Sequence, residues 1–213
     1  MRMLDLFCGR WGWSKAFAER GWECVGVDLV EPPEIPDGCR FHNWDVMNLT
    51  VESVKHYDFV CASSPCEQFS VHGMRHFHPN PKYPDLGIKL FNHTRSLCEA
   101  SGVPYVMENV RAAQQFVGNA VNHCGPFYLW GNGVPPLMPQ GISKGMTRKA
   151  WGAREFKGQD GWNRKHEAPR ESNSYWSNSK GRRDAVAANA TIPPLLAAAV
   201  ADYATRLYEA RVA

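Results

Sequence analysis

The chain reads as an α/β protein: a Rossmann-like, doubly wound, mostly parallel sheet with a small basic insert. Three observations predict this. Short apolar runs of four to seven residues alternate with helix-period segments along most of the chain. Several of those runs end on a polar or acidic residue followed by a turn signal, as parallel strands do. A final long helical pattern begins at a Pro-Pro pair, which suits a helix start.

In chain order, RMLDLF (2–7) predicts a strand breaking at Cys8-Gly9, and 13–19 a helix stopped by Gly21. ECVGVDL (23–29) predicts a second buried strand ending in an acid, and EPPEIPDG a loop. RFHNWD (40–45) predicts a short third strand, 51–56 a helical turn, and YDFVCA (57–62) a fourth strand running into SSPC. Residues 71–85 read as loop. Then come a helix (86–101), a strand (103–107), a helix (111–117), a strand FYLW (127–130) and a last helix (192–210). Three segments follow from this: a core over 1–131, a basic aromatic insert over 132–184, and a C-terminal segment over 185–213 returning to the core.

Composition narrows the function. Mean hydropathy is −0.42 and no run of eighteen apolar residues exists, so a membrane-spanning protein is not expected. MRMLDLFCG turns acidic too soon for a signal peptide. The seven cysteines are odd in number and lack CxxC spacing, which predicts reduced thiols in a cytoplasm and neither a disulfide framework nor a structural zinc site. Net charge is +3, yet 141–184 alone holds eleven Lys or Arg against five acids. Trp151, Trp162, Tyr175 and Trp176 interleave with them. Cations meet phosphate and aromatics stack on bases, so this segment predicts nucleic-acid contact, although a solvated loop has the same composition.

The candidate site follows from the architecture. Ligands in doubly wound sheets bind beyond the carboxyl ends of the strands. Asp5, Asp28, Asp45, Cys66 and Glu108 all fall there. In DLFCGRWGWS (5–14), Gly9 and Gly12 let backbone N–H groups approach a ligand, and Asp28 of GVDL (26–29) suits ribose hydroxyls. The spacing is not G-x-G-x-x-G, which disfavours a nicotinamide dinucleotide. A plain tight turn is the alternative. Cys66 of SSPCEQFS (63–70) sits in a polar loop stiffened by Pro65, where a thiolate can attack electron-poor carbon. A half-buried inert thiol is its alternative. Cys61 and Cys98 read as core, and Cys8 as packing within the glycine turn. Glu108 in MENV (107–110) follows a buried strand, where desolvation would let it hold and donate a proton; capping the next helix or pairing with Arg111 is its alternative. HGMRHFH (72–78) lacks a partnered acid, so no metal is expected.

Together these motifs resemble the cytosine-C5 DNA methyltransferase family. DLFCGRWGWS looks like its donor-binding first motif, SSPCEQFS its catalytic PPCQxFS loop, MENV its ENV motif, and AANATIPPLL (187–196) its final motif. Trp11 stands where the family has glycine, Arg10 where it has a small or apolar residue, Ser64 for its first loop proline and Glu67 for its glutamine. The resemblance implies transfer of a one-carbon group, methyl, from S-adenosyl-L-methionine to C5 of cytosine in DNA through a covalent cysteine–C6 intermediate. Cys66 would be the nucleophile, Glu108 the acid at cytosine N3, and Asn109 the residue fixing the loop. Phe7 would pack on adenine, Asp28 hold the ribose and Asp45 accept from the adenine amino group. Asp5, Gly9, Arg10, Gly12, Leu29, Val46, Ser64 and Asn189 would complete the donor site. Ser70, Lys149, Arg154, Lys157 and Arg164 would meet DNA, the target base being flipped out or single-stranded. A monomer in the cytoplasm of a prokaryotic or phage-infected cell is expected. The other readings are a carboxylated S-adenosylmethionine held by Arg10, modification of free deoxycytidylate, and a non-catalytic DNA-binding relative.

Overall fold

Residues 1–69, 84–140 and 191–213 are described by the computed structural model. Seven strands form one sheet: β1 (Arg2–Leu6), β2 (Glu23–Asp28), β3 (Cys39–Asn43), β4 (Phe59–Ser63), β5 (Tyr105–Val110), β6 (Asn122–Cys124) and β7 (Phe127–Trp130). Their order is β3-β2-β1-β4-β5-β7-β6, with β7 antiparallel to both of its neighbours and the other pairings parallel. The helices are α1 (Ser14–Ala18), α2 (Val51–Val54), α3 (Asp85–Ser101), α4 (Gln114–Val117) and α5 (Pro194–Val212). This is the predicted Rossmann-like, doubly wound and mostly parallel sheet. Met1–Gln140 and Ile192–Ala213 form one compact unit.

The central strands are buried on both faces, which is why they read as apolar runs rather than alternations. Met3, Leu4 and Leu6 of β1 and Phe59, Val60, Cys61 and Ala62 of β4 are all buried. On α3, Phe91, Thr94, Leu97 and Cys98 turn inward at helical spacing, and Gly102 ends the helix in the left-handed conformation. On α5, Leu196, Ala197, Val200, Ala201 and Ala204 form the buried stripe. Small alanines let this helix lie close to α1, where Arg20 Nε meets Asp202 at 2.6 Å and Trp22 Nε1 donates to Thr205 at 3.0 Å.

Several boundaries differ from the sequence expectation. β5 continues through Val110 because β7 pairs with it from Met107 to Val110, so Glu108 and Asn109 lie inside a strand and not after it. β3 ends at Asn43, and Asp45 instead caps a 3-10 turn, accepting from Met47 N at 2.9 Å. The expected helix at 111–117 splits into a 3-10 turn (Arg111–Ala113) and α4. β6 was not expected at all.

The chain order places a switch point between β1 and β4, since β2 and β3 extend the sheet one way and β5, β7 and β6 the other. A crevice outside the carboxyl ends of strands opens at such a point. The glycine turn leaves β1 there, and the Cys66 loop leaves β4 beside it.

Candidate active site

The glycine turn is built under strain. Phe7 and Trp11 adopt φ of 59° and 61°, a region that bulky residues rarely enter and that clusters at ligand sites. Phe7 N and Cys8 N both donate to Val27 O, at 2.9 and 3.3 Å, which folds the end of β1 over β2. The Trp11 indole is buried across Gly26 of β2, where any Cβ would run into its ring, and its Nε1 donates to Glu34 O at 2.9 Å. Trp11 thus keeps the left-handed backbone of a glycine while tying the turn to the loop after β2. Gly12 serves a close approach as well: a Cβ there would meet Ile192 N at 2.9 Å. The segment entering α5 is therefore seated on the glycine turn.

Asp5 lies just below that turn and is 1% exposed. Its Oδ2 accepts from Ser14 Oγ at 2.6 Å and Ser14 N at 3.3 Å, while Oδ1 has no partner. Burial raises its pKa to about 7, and the Ser14 bonds pull the other way. Cys8, buried beside it, has its thiol pushed far up by burial, which suits packing and not nucleophilic chemistry.

Asp28 closes β2 half-buried. Its Oδ2 accepts from Gly9 N at 3.0 Å and its Oδ1 from Val30 N at 3.2 Å, and each oxygen keeps a second lone pair. Asn43 Nδ2 holds the same corner by donating to Leu29 O at 2.8 Å. Around it Leu29, Val30 and Trp44 are 66, 73 and 56% exposed. Three large apolar side chains flanking one carboxylate form a surface suited to a flat, partly polar ligand. Asp45 is half-buried beyond β3, and the neighbouring Val46 is buried with its carbonyl 3.2 Å from His93 Nε2.

The second half of the crevice carries the thiol and the acid. Cys66 is half-buried, with Pro65 and Glu67 exposed on either side. Phe69 N donates to Cys66 O at 3.0 Å, Gln68 Oε1 accepts from Gly87 N at 2.7 Å, and the Phe69 ring is buried. Those contacts anchor the far end of the loop to the start of α3. Its near end is held by Asn109, a fully buried side chain whose Nδ2 donates to Ser64 O and Ser64 Oγ, both at 3.1 Å. Ser64 is itself buried, so its hydroxyl holds the loop.

Glu108 stands opposite Ser63 in the β4–β5 register. The residue keeps some exposed surface, but its carboxyl is desolvated and its pKa is raised to about 8, with the Ser63 hydroxyl bond lowering it. Trp13 Nε1 donates to the same Ser63 Oγ at 3.0 Å. Indole is only a donor, so the Ser63 hydroxyl proton is left to point at Glu108.

The described structure places Phe7, Gly9, Arg10 and Gly12 in the turn after β1 with Asp5 buried beneath it, Asp28 and Leu29 at the end of β2, Asp45 and Val46 after β3, Ser64 and Cys66 after β4, and Glu108 and Asn109 within β5. Ser70, Asn189, Lys149, Arg154, Lys157 and Arg164 lie outside the described residues, as does 72–78. Cys61 and Cys98 are core, with both thiols raised by burial, Cys98 to about 12. Sequence reasoning missed Trp13, Ser63, Asn43 and Trp44. Trp44 sat in view beside Asp45, whereas the partners of the other three depend on strand pairing. Among the described residues, no group of three His, Cys, Asp or Glu could hold a metal ion, and no helix is long and apolar enough to cross a membrane.

Sheet order, switch point and glycine turn define a Rossmann-like, doubly wound α/β fold. The sequence is similar to two phage proteins, orphan methyltransferase M.SPRI of Bacillus phage SPR and orphan methyltransferase M.Rho11sI of Bacillus phage rho11s. Each is 26% identical over 132 residues, 57% of this chain. The match covers 29% and 25% of those proteins, so the chain spans less than a third of the curated relatives it matches. No family model matches the sequence. Among solved structures, a Spodoptera frugiperda DNMT2 mutant aligns with TM-score 0.37 and 22% identity, over 54% of this chain and 37% of that one. A Burkholderia thailandensis 1,6-didemethyltoxoflavin-N1-methyltransferase, crystallised with S-adenosylhomocysteine, aligns with TM-score 0.34 and 18% identity, over 61% of this chain and 53% of that one. Alignments this partial add nothing to what the strand order itself shows.

Proposed function

We propose that the chain transfers a methyl group from S-adenosyl-L-methionine to C5 of cytosine in DNA through a covalent adduct between Cys66 and C6. The observation that carries this reading is the pair of bonds from Asn109 to Ser64, which sets the Cys66 loop beside Glu108 at the switch point. Relatives named as methyltransferases support methyl transfer.

Each residue has a physical task. Asp28 and the exposed apolar rim around it would receive the nucleoside end of the donor, and the sulfonium supplies the methyl group. The Cys66 sulfur adds to C6 while Glu108, protonated at neutral pH, donates to N3; the ring electrons then make C5 nucleophilic. C5 takes the methyl and S-adenosylhomocysteine leaves; solvent water then takes the C5 proton, the Cys66 thiolate is expelled, and N3 returns its proton to Glu108, which restores the aromatic ring. Because C5 and C6 are covered in a stacked duplex, the base must leave the stack. The basic aromatic segment within 132–184 serves as a reduced target-recognition region that meets phosphate.

The test is to express the protein and its Cys66→Ala variant, digest cellular DNA and weigh the nucleosides. 5-Methylcytosine with the wild type alone supports the reading. A mass gain of a carboxymethyl group would shift the donor to a carboxylated one. Equal modification by both proteins, or none by either, contradicts the reading.

A further inference from the structure

Seven cysteines include one pair that the proposed chemistry does not use. Cys24 of β2 and Cys39 of β3 are direct partners in the parallel register, so both side chains leave the same face of neighbouring strands. Strands lie about 4.8 Å apart, inside the roughly 4.4–6.8 Å Cα separation that a disulfide spans. The two thiols lie near enough to shift each other's ionisation. Cys24 is 1% exposed and lies under α1, with its Sγ 3.5 Å from Ser14 O. Cys39 begins the edge strand and is half-buried, the more exposed residue of the pair.

We propose that Cys39 and Cys24 form a reversible thiol–disulfide site, Cys39 reacting first with a small peroxide and Cys24 resolving it. The neighbouring Cys24 thiol holds the Cys39 thiol below its ordinary range, helped by the Lys15 ammonium and opposed by burial and Asp5; the same pairing, with burial, pushes Cys24 up. A more acidic, accessible thiol backed by a protonated one is the arrangement that peroxide chemistry needs. The Cys39 sulfur attacks one oxygen of hydrogen peroxide, the O–O bond breaks, and the departing hydroxide leaves as water with the Cys39 proton. The Cys24 sulfur then attacks the resulting sulfenic sulfur, the S–O bond breaks, and a second water leaves with the Cys24 proton. Two thiols and one peroxide become one disulfide and two waters; the sulfurs are oxidised and the peroxide reduced. The ring so closed contains Asp28 and the loop after it, which couples the site to the candidate donor corner.

Both cysteines lie in one tryptic peptide, residues 21–40, which makes the test direct. The full chain is treated with a small excess of hydrogen peroxide, alkylated, digested with trypsin and then cleaved after Glu34. The expected result is a peptide 2 Da lighter than its unalkylated dithiol, whose two halves stay joined until dithiothreitol is added. In Cys24→Ser the same treatment is expected to leave Cys39 as sulfenic or higher oxygen adducts. Two fully alkylated cysteines after treatment, or irreversible oxidation of Cys39 in the wild type with Cys24 still alkylated, would overturn the proposal.

Discussion

Ser63 and Glu108 face each other across β4 and β5, and Trp13 Nε1 donates to the Ser63 hydroxyl at 3.0 Å, leaving its proton for the neighbouring carboxyl. With its carboxyl raised to about 8, Glu108 is protonated at neutral pH and can donate to a ring nitrogen. Methyl transfer is therefore expected to fall as pH rises through about 8. Ser63→Ala removes the influence that lowers Glu108, so this alkaline limb should move to higher pH while the rate at about pH 7.5, where Glu108 is already protonated, is retained. A pH–rate profile with an unmoved limb would contradict the role given to Ser63.

Asp5 predicts a pH dependence of stability. Its folded pKa, about 7, lies above the value of 3.8 expected when unfolded. The unfolded chain gives up this proton first, so the stability present below about pH 4 is lost as pH rises and levels off above about 7. Asp5→Asn keeps an acceptor for Ser14 and removes the titration. Urea midpoints at pH 5 and pH 8 should differ less in the variant than in the wild type, and an equal drop would contradict this.

The sheet core was legible from apolar runs, because strands buried on both faces need no pattern beyond length. Asp28, Cys66 and Glu108 were legible because polar residues closing such runs stand out. What sequence could not show depended on pairing. β6 (NHC) has no alternation to mark it, and β5 runs past Met107 only because β7 lies alongside. Ser63 and Trp13 find each other, and Cys24 finds Cys39, only through strand register. Trp11 looked foreign in a glycine turn; its φ of 61° and its seat across Gly26 show how a large side chain is accommodated there.

Asp28 should govern the donor. Asp28→Ala removes a charged partner and also releases Gly9 N and Val30 N, and such bonds are worth roughly 1.5–3 kcal/mol. Affinity for S-adenosylmethionine, read by calorimetry, should weaken about tenfold to a hundredfold. Unchanged affinity would remove Asp28 from the donor site.

The charge surplus of 141–184 should govern DNA affinity. Neutralising Lys149, Arg154, Lys157 and Arg164 together should flatten the salt dependence of binding, by about one in the log–log slope for each phosphate no longer neutralised. A slope identical to that of the wild type would place the DNA path elsewhere.

The central claim is that Cys66 bonds to C6 of cytosine, and mechanism-based trapping tests it most directly. DNA carrying 5-fluorocytosine gives an adduct that cannot shed a proton from C5, so the ring and sulfur stay joined. Incubation with S-adenosylmethionine, digestion and mass spectrometry should find the nucleotide on the peptide containing Cys66, and on no peptide in Cys66→Ala. An adduct on another residue, or free methylated product with no adduct at Cys66, would contradict the account.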